Sequence, residues 1–317
     1  MSNRTSTSEH AVRKFSDPDW TAKGERRAVV PFTGLDTLWL NTGTLCNIAC
    51  ANCYIESTPK NDALVYLTRS EAGLFLTEAK NLSHPPHEIG FTGGEPFMNP
   101  DMTGMLEDSL AAGFRVLVLT NAMKPMQHKA EALLSLHRRF PGSIAVRVSL
   151  DHYEQARHEE VRGERTWQPA LDGLTWLSSS GFDVSVAGRL LWDEEEPALR
   201  DGYAKAFKTH GITIDAADPG RLALFPEMEP HADVPEISEG CWRILNKRPD
   251  SVMCASSRMV VKRKGAASPV VISCTLLPYE PEFELGGTLA EAFRPVSLNH
   301  RYCSKFCVLG GAACSAK

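Results

Sequence analysis

The sequence lacks the features that mark several other classes of protein. No apolar run among its 317 residues reaches the roughly 18 residues needed to cross a bilayer. The N-terminus, residues 1–10, has no apolar core of a signal peptide, so we expect a cytoplasmic protein without a membrane partner. A net charge of −5 and a pI of about 6.1 disfavour a nucleic-acid partner, because surfaces that bind nucleic acids are usually basic.

Cysteine is absent from the long middle of the chain. The nine cysteines form an N-terminal group of three and a C-terminal group of six, with none between Cys53 and Cys241. In a reducing cytoplasm, clustered cysteines bind metals or carry redox chemistry more often than they form disulfides. The split therefore predicts two metal-binding regions that flank a body without cysteine.

Strand and helix patterns alternate through that body. Predicted strands cover residues 36–40, 88–91, 114–119, 143–150, 182–191 and 211–215. Six units of about 30 residues match the size of βαβ units, and their alternation predicts an α/β fold with a parallel sheet. Arg147, Ser149 and Asp151 share one strand face. A polar face of this kind favours a partial (β/α)6 TIM-type barrel with a polar interior over a doubly wound sheet, although it also fits an edge strand whose polar face meets solvent.

Composition divides the chain into three expected parts. Residues 1–34 form a polar arm, residues 35–225 the barrel domain, and residues 226–317 a small cysteine-rich domain in which prolines become frequent. A domain of fewer than about 100 residues often needs a metal or another crosslink for stability.

Three cysteines, Cys46, Cys50 and Cys53, lie within eight residues after the first strand. A zinc site would need a fourth ligand, and no suitably spaced Cys or His lies nearby. A thioredoxin-like pair would use only Cys50 and Cys53. An iron–sulfur cubane held by three thiolates would use all of them and leave one iron open.

A second motif, Thr92-Gly-Gly-Glu-Pro96, follows the second strand. Adjacent glycines at a strand end allow close approach of the backbone to a ligand, although an ordinary turn gives the same pattern. The carboxyl end of a parallel strand is where α/β enzymes bind ligands.

Together the two motifs resemble the radical S-adenosylmethionine (radical SAM) superfamily. The resemblance continues in Ser149-Leu-Asp151 and Glu160-Val-Arg-Gly163. It implies that Cys46, Cys50 and Cys53 hold a [4Fe–4S] cluster whose open iron binds S-adenosylmethionine. Reductive cleavage would then give a 5′-deoxyadenosyl radical that abstracts a substrate hydrogen. Many members carry an aromatic residue before the third cysteine, where this chain has Asn52. The cosubstrate-binding residues implied are Tyr54, Gly93, Gly94, Glu95, Thr120, Asn121, Ser149 and Arg162.

The C-terminal cysteines resemble the SPASM or Twitch domains of this superfamily, which bind auxiliary [4Fe–4S] clusters. The resemblance implies one auxiliary cluster, with Cys254 and Cys274 as ligands and with Cys303, Cys307 and Cys314 competing for the remaining positions. The roles open to Cys241 are cluster ligand, hydrogen-atom donor and buried thiol. A zinc-stapled tail is the alternative for the whole set.

These resemblances imply an oxidoreductase of the maturase type. A flavodoxin or ferredoxin would supply electrons, and the substrate would be a peptide or protein. Small-molecule or cofactor biosynthesis is the alternative, and a non-catalytic iron–sulfur or zinc protein is the alternative of another class. Only about 35 residues precede the first strand, so recognition of a peptide leader would need a separate protein. We expect His152 and His158 on a helix surface, because the histidines show no metal-ligand spacing.

Overall fold

The structure is a computed structural model that describes residues 13–227 and 232–311. Its first part alternates strands and helices, and its last part is built of short strands and turns. In chain order the first elements are β1 (Val29–Val30), β2 (Thr37–Asn41), α1 (Arg69–Lys80), β3 (Glu88–Thr92), α2 (Met102–Ala111), β4 (Arg115–Thr120), α3 (Lys124–Gln127), α4 (Ala130–Arg139), β5 (Ile144–Ser149), α5 (Gln155–Arg162), α6 (Trp167–Ser179), β6 (Asp183–Leu190), α7 (Glu196–Thr209) and β7 (Leu222–Pro226).

The last part contains one antiparallel hairpin and several short elements. They are α8 (Glu239–Ile244), β8 (Ser257–Val261), β9 (Val270–Ile272), β10 (Glu284–Gly286), α9 (Leu289–Ala292), β11 (Val296–Ser297) and a π-helical segment, Cys303–Leu309. None of the helices in the described ranges has both the length and the apolar character needed to cross a membrane.

A nine-stranded sheet runs through both parts in the order β10-β9-β8-β2-β3-β4-β5-β6-β7. Strands β2 to β7 are parallel to their neighbours, and β8 is parallel to β2. Strands β9 and β10 continue the sheet as antiparallel neighbours of β8. The six parallel strands with their outer helices form the predicted partial (β/α)6 barrel, and the C-terminal hairpin extends the same sheet at its first edge.

Alternating side chains on the strands fill two cores. Leu38 and Leu40 of β2 face the larger core beneath the helices, while Trp39 faces the core shared with the C-terminal hairpin. Adjacent strand residues point to opposite faces, so β2 joins both cores. The hairpin is therefore packed on the barrel through the first barrel strand.

The predicted sixth strand is wrong. Residues 211–215 are irregular, and the sixth barrel strand is β7. Ile212 and Ala216 are buried against α7, and the Arg200 guanidinium donates to the carbonyls of Ala216 and Leu222 at 2.8 and 3.1 Å. The apolar residues that suggested a strand thus cover a helix. The amides of Gly211 and Ile212 donate to carbonyls at the end of α7, and the amide of Thr213 donates to the Ser178 hydroxyl, so the segment does not pair with a strand.

The described part of the N-terminal region, residues 13–34, is fixed to the C-terminal part of the chain. Arg27 and Glu236 form a buried ion pair at 2.7 Å, and the Glu236 carboxylate also accepts from the amides of Phe15 and Ala22. Strand β1 pairs with β11. The ion pair and the strand pairing link the first and last parts of the described chain.

Replacing Arg27 by Met should destabilise the fold by about 3–5 kcal/mol, because it leaves the Glu236 charge buried without its partner. The exposed pair Lys14–Asp233 joins the same two segments and serves as control. Lys14→Met should cost less than about 1 kcal/mol. Urea unfolding under anaerobic conditions measures both, and equal costs for the two variants would contradict the assignment.

Candidate active site

A cavity opens at the carboxyl ends of the barrel strands. It encloses about 1160 Å³ when its open mouth is included. One wall is the cysteine loop, residues 42–57, and another is formed by the ends of β3 to β7. Seven of the eight predicted cosubstrate-binding residues line it, namely Tyr54, Gly93, Gly94, Thr120, Asn121, Ser149 and Arg162.

All three cysteines of the loop line this cavity. Cys46 is buried, and Cys50 and Cys53 are half-buried, each as a free thiol. Burial raises the pKa of Cys46 to about 12 and also raises the pKa of Cys50, against the effect of the Arg162 charge. Cys46 and Cys50 are therefore protonated at neutral pH unless a metal displaces the proton, as iron does when it binds thiolate.

The donor set fits a three-thiolate iron–sulfur cluster. Within the described ranges, no three cysteine, histidine or carboxylate side chains converge closely enough to share one metal ion. A cubane does not require such convergence, because each thiolate binds a different iron. Three thiols spread along one cavity wall can therefore each bind a different iron of one cubane.

The two glycines bring β3 against the cysteine loop. The amide of Gly94 donates to the Gly43 carbonyl at 2.8 Å, and the amide of Glu95 donates to the Leu45 carbonyl at 3.1 Å. A Cβ on Gly94 would lie 2.3 Å from the Leu45 carbonyl oxygen. Gly93 has a φ of +146°, where other residues are strained. The glycines thus allow close backbone contact with the loop that carries the three cysteines.

Glu95 is buried behind the cavity and is absent from its lining. Its carboxylate accepts from the Thr120 hydroxyl at 2.8 Å and from the amides of Asn121 and Phe97 at 2.9 and 3.2 Å. Burial raises the pKa of Glu95 to about 7 against these hydrogen bonds. The Glu95 carboxylate thus links the end of β3 to the end of β4 through hydrogen bonds. The sequence motif did not indicate this role.

Thr120 and Asn121 continue the cavity wall beside the cysteine loop. The Asn121 side-chain amide donates to Asn47 Oδ1 at 2.9 Å and lies 3.9 Å from Cys46 Sγ. Both residues also form a turn at the end of β4, where the Asn121 side-chain oxygen accepts from the amide of Met123. The end of β4 is therefore in contact with the first cysteine.

Charged side chains lie on the opposite wall. Arg162 donates to both oxygens of Asp151, at 2.8 and 3.0 Å. Arg189 lies 3.6 Å from Asp151 and 3.5 Å from Glu227. Although burial alone would raise it, Arg162 and Arg189 hold the pKa of Asp151 below its ordinary value. With Arg147, which also lines the cavity, this wall carries more positive than negative charge.

Asn52 occupies the position where an aromatic residue is usual. Its φ is +54°, a left-handed conformation that asparagine adopts more readily than most residues. Its side-chain amide donates to Glu227 Oε1 at 2.8 Å. The contact links the cysteine loop to the end of β7. Sequence reasoning missed it because 175 residues separate the two partners.

The far wall contains apolar residues that the sequence did not indicate. Phe225 and Pro226 come from β7, and Leu276 and Phe306 come from the C-terminal part. Phe225 and Phe306 stack with ring centroids 5.4 Å apart. The C-terminal part thus covers the barrel mouth and completes the cavity.

Four C-terminal cysteines line a second, small apolar pocket. They are Cys254, Cys274, Cys303 and Cys307. The π-helical segment supplies the last two, and burial raises the pKa of Cys254 to about 11 and of Cys303 to about 12. Cys241 lies outside this lining, with its sulfur 3.6 Å from Ser238 Oγ. Cys314 lies outside the described residues.

The expected surface position of His152 and His158 is wrong, because both side chains are buried. His152 stacks on Tyr153 at 4.2 Å and lies 3.1 Å from Glu194. Burial lowers the pKa of His158 to about 4, so this ring is neutral. The polar neighbours of both residues in the sequence concealed their burial, His152 beside Trp192 in the loop after β6 and His158 beside Trp167 at the start of α6.

The sequence profile of the radical SAM superfamily matches residues 40–198, half of the chain. The protein therefore belongs to this superfamily. The family predicted from the two motifs is therefore confirmed.

Among curated proteins, the chain is similar to the antilisterial bacteriocin subtilosin biosynthesis protein AlbA of Bacillus subtilis (strain 168). The two are 25% identical over 269 residues, which cover 79% of this chain and 57% of AlbA. It is also 28% identical over 142 residues to the AdoMet-dependent heme synthase of Methanosarcina barkeri (strain Fusaro / DSM 804), covering 44% of this chain and 38% of the synthase. The chain thus spans between about two fifths and three fifths of these relatives.

Two solved structures share the fold. Streptococcus suis SuiB bound to S-adenosylmethionine superposes with a TM-score of 0.59 at 12% identity, covering 80% of this chain and 63% of SuiB. Native anSMEcpe with bound AdoMet gives 0.59 at 14% identity, covering 84% and 82% of the two chains. Both matches support the partial barrel.

Gly94→Ala should reduce the rate of S-adenosylmethionine cleavage about 100-fold, because the added Cβ must displace the backbone of the cysteine loop. The measurement is 5′-deoxyadenosine formation by the reduced enzyme, with iron content determined in parallel.

Gly73→Ala is the matched control. Gly73 lies inside α1, where an added Cβ meets nothing within 4 Å, so this variant should keep its activity and gain up to about 1 kcal/mol of stability. Cleavage by Gly94→Ala at the parental rate would show that the contact does not position the loop.

Proposed function

We propose that this radical SAM enzyme modifies a peptide or protein substrate. One observation carries the proposal: the cavity that holds the three cysteines is covered by apolar residues of β7 and the C-terminal part, including Phe225, Leu276 and Phe306. A cavity with a polar cofactor wall and an apolar outer wall suits binding of a substrate side chain beside the cosubstrate.

Cys46, Cys50 and Cys53 would hold the radical-generating cluster. When bound, the cluster and S-adenosylmethionine supply a 5′-deoxyadenosyl radical that abstracts a hydrogen atom from the substrate. The protein binds and orients both reactants and limits access of water. The Gly93–Gly94 backbone and the Asn121 side chain lie beside the cysteine loop and would receive the methionine end.

Arg162 and Ser149 would bind the carboxylate or ribose of the cosubstrate. Arg162 is paired with Asp151, Arg189 lies beside Asp151 and Glu227, and Arg147 brings a third guanidinium to the cavity lining. A carboxylate near these guanidinium groups would form charge-assisted hydrogen bonds. Tyr54, also in the lining, would contact the adenine in place of the usual aromatic residue.

The four cysteines of the second pocket would bind one auxiliary [4Fe–4S] cluster. Four thiols are the number that such a cluster needs, and the apolar lining protects the site from solvent. In this proposal Cys303 and Cys307 complete the set begun by Cys254 and Cys274. Cys241 and Cys314 then have no place among the ligands.

Iron content tests both ligand sets. The parent should bind about eight irons, and both the Cys46/Cys50/Cys53 triple-alanine variant and the Cys254/Cys274/Cys303/Cys307 quadruple-alanine variant about four. Cys241→Ala is the control and should keep about eight. A triple variant that keeps about eight irons would indicate two auxiliary clusters, and a quadruple variant that keeps all of its iron would overturn the second set.

Similarity to known proteins supports the peptide assignment. AlbA, a protein of bacteriocin biosynthesis by its name, aligns over most of this chain. Structures of SuiB with a precursor peptide and of anSMEcpe with a peptide share the fold, with TM-scores of 0.50 and 0.56. The shorter match to a haem synthase favours cofactor biosynthesis as a second candidate. In either case a flavodoxin or ferredoxin would supply the electron.

Substrate class is tested with the anaerobically reconstituted, reduced enzyme. Peptides encoded beside its gene should increase 5′-deoxyadenosine formation and change in mass, whereas a haem precursor should do neither. The triple-alanine variant is the inactive control. Turnover of the haem precursor alone would favour the second candidate, and no 5′-deoxyadenosine from an enzyme with intact clusters would contradict the radical mechanism.

A further inference from the structure

Arg258 is a buried cation with no carboxylate beside it. Arg258 is the second residue of β8, and it is 1% exposed. In the described ranges, none of the groups that bond to its guanidinium or act on its charge is an Asp or Glu carboxylate. The ionisable groups that act on it are the thiols of Cys254 and Cys274 and the guanidinium of Arg294.

Neutral groups fix the position of this guanidinium. Nε donates to the Ala292 carbonyl at 2.8 Å, and Nη1 donates to the carbonyls of Cys254 and Ser257 at 2.6 and 2.7 Å. Nη2 donates to the Arg294 carbonyl at 2.9 Å. The Arg258 guanidinium carbon lies 4.4 Å from the centroid of the Phe32 ring. These contacts satisfy donors, but they supply no opposite formal charge, and burying an unbalanced charge is costly.

Two cysteines of the second pocket, one before β8 and one after β9, can supply the missing negative charge. Cys254 is four residues before Arg258, and the guanidinium bonds directly to its carbonyl. Cys254 and Cys274 both line the apolar second pocket. As cluster ligands they would be thiolates, and a cluster with four thiolates is an anion. The charge of Arg258 is then balanced.

We propose that Arg258 is a positioning residue that supplies the counter-charge of the auxiliary cluster and raises its reduction potential. The inference rests on the proposed ligand set of the second pocket. Reduction adds an electron to the cluster, so a nearby positive charge stabilises the reduced state more than the oxidised state. Because the guanidinium is buried, water and salt screen it little.

Arg263 lies on the strand-to-strand turn of the same hairpin and offers a comparison. Its guanidinium pairs with Glu284 at 3.3 Å and donates to the Pro278 carbonyl. The carboxylate cancels its charge locally. Arg263→Gln is therefore the matched control for loss of an arginine from the hairpin.

The test is a redox titration, followed by electron paramagnetic resonance, in the Cys46/Cys50/Cys53 triple-alanine background. At the midpoint potential of this parent, Arg258→Gln should lower the ratio of reduced to oxidised cluster at least about tenfold, which is a shift of 59 mV for a one-electron couple. Arg258→Lys keeps the charge and should stay close to the parent. Arg263→Gln should not shift the midpoint.

The outcomes separate this inference from the ligand assignment. A parent without iron would refute the auxiliary cluster itself. A loaded Arg258→Gln variant with the parental midpoint would overturn the role of Arg258 alone. Should Arg258→Gln fail to hold iron, Arg258→Lys decides: a loaded lysine variant at the parental midpoint supports the charge role. If the lysine variant also loses its iron, or if its midpoint is lowered as far as that of Arg258→Gln, the role of Arg258 is limited to holding the local structure.

Discussion

The close backbone contact between the end of β3 and the cysteine loop determines the rest of the site. Two hydrogen bonds, from the amides of Gly94 and Glu95, hold the loop at the mouth of the barrel. The space for that contact exists only because the position of Gly94 carries no side chain. Glu95 then joins the same segment to the end of β4. The contact between β3 and the cysteine loop thus positions the cysteines, the glycines and Asn121 around one cavity.

The pairing of β2 with β8 extends this arrangement to the C-terminal part. The first barrel strand has β3 on one side and the C-terminal hairpin on the other, so the two cysteine regions are attached to the same strand. Cys254 lies just before β8, and the cysteine loop follows β2. The pairing of β2 with β8 thus fixes the second pocket relative to the cavity. Phe306 of the same C-terminal part lines the cavity itself.

Charge differs between the two cysteine pockets. Around the cavity, Arg162 and Arg189 are accompanied by Asp151 and Glu227. Beside the second pocket, Arg258 has backbone carbonyls and thiols as neighbours, with no carboxylate in the described ranges. The cavity therefore has charged partners of its own in place before any ligand binds. No carboxylate of the described residues balances Arg258 beside the second pocket, and in our proposal the cluster ligands supply that negative charge.

The sequence by itself determined the family, the alternation of strands and helices, and the three cysteines with the Gly-Gly motif, because each depends on local spacing. It misplaced the sixth strand, because the apolar residues of 211–215 pack beside α7 without pairing in the sheet, and the two histidines, because the local pattern does not indicate their packing beside Trp192 and Trp167. Only the tertiary structure brought Cys303 and Cys307 into one pocket with Cys254 and Cys274, buried Glu95 behind Thr120 and Asn121, and placed Glu227 beside Asn52. These contacts join residues that are far apart in the sequence. They form only when the sheet folds and its faces are packed, so the local sequence pattern does not reveal them.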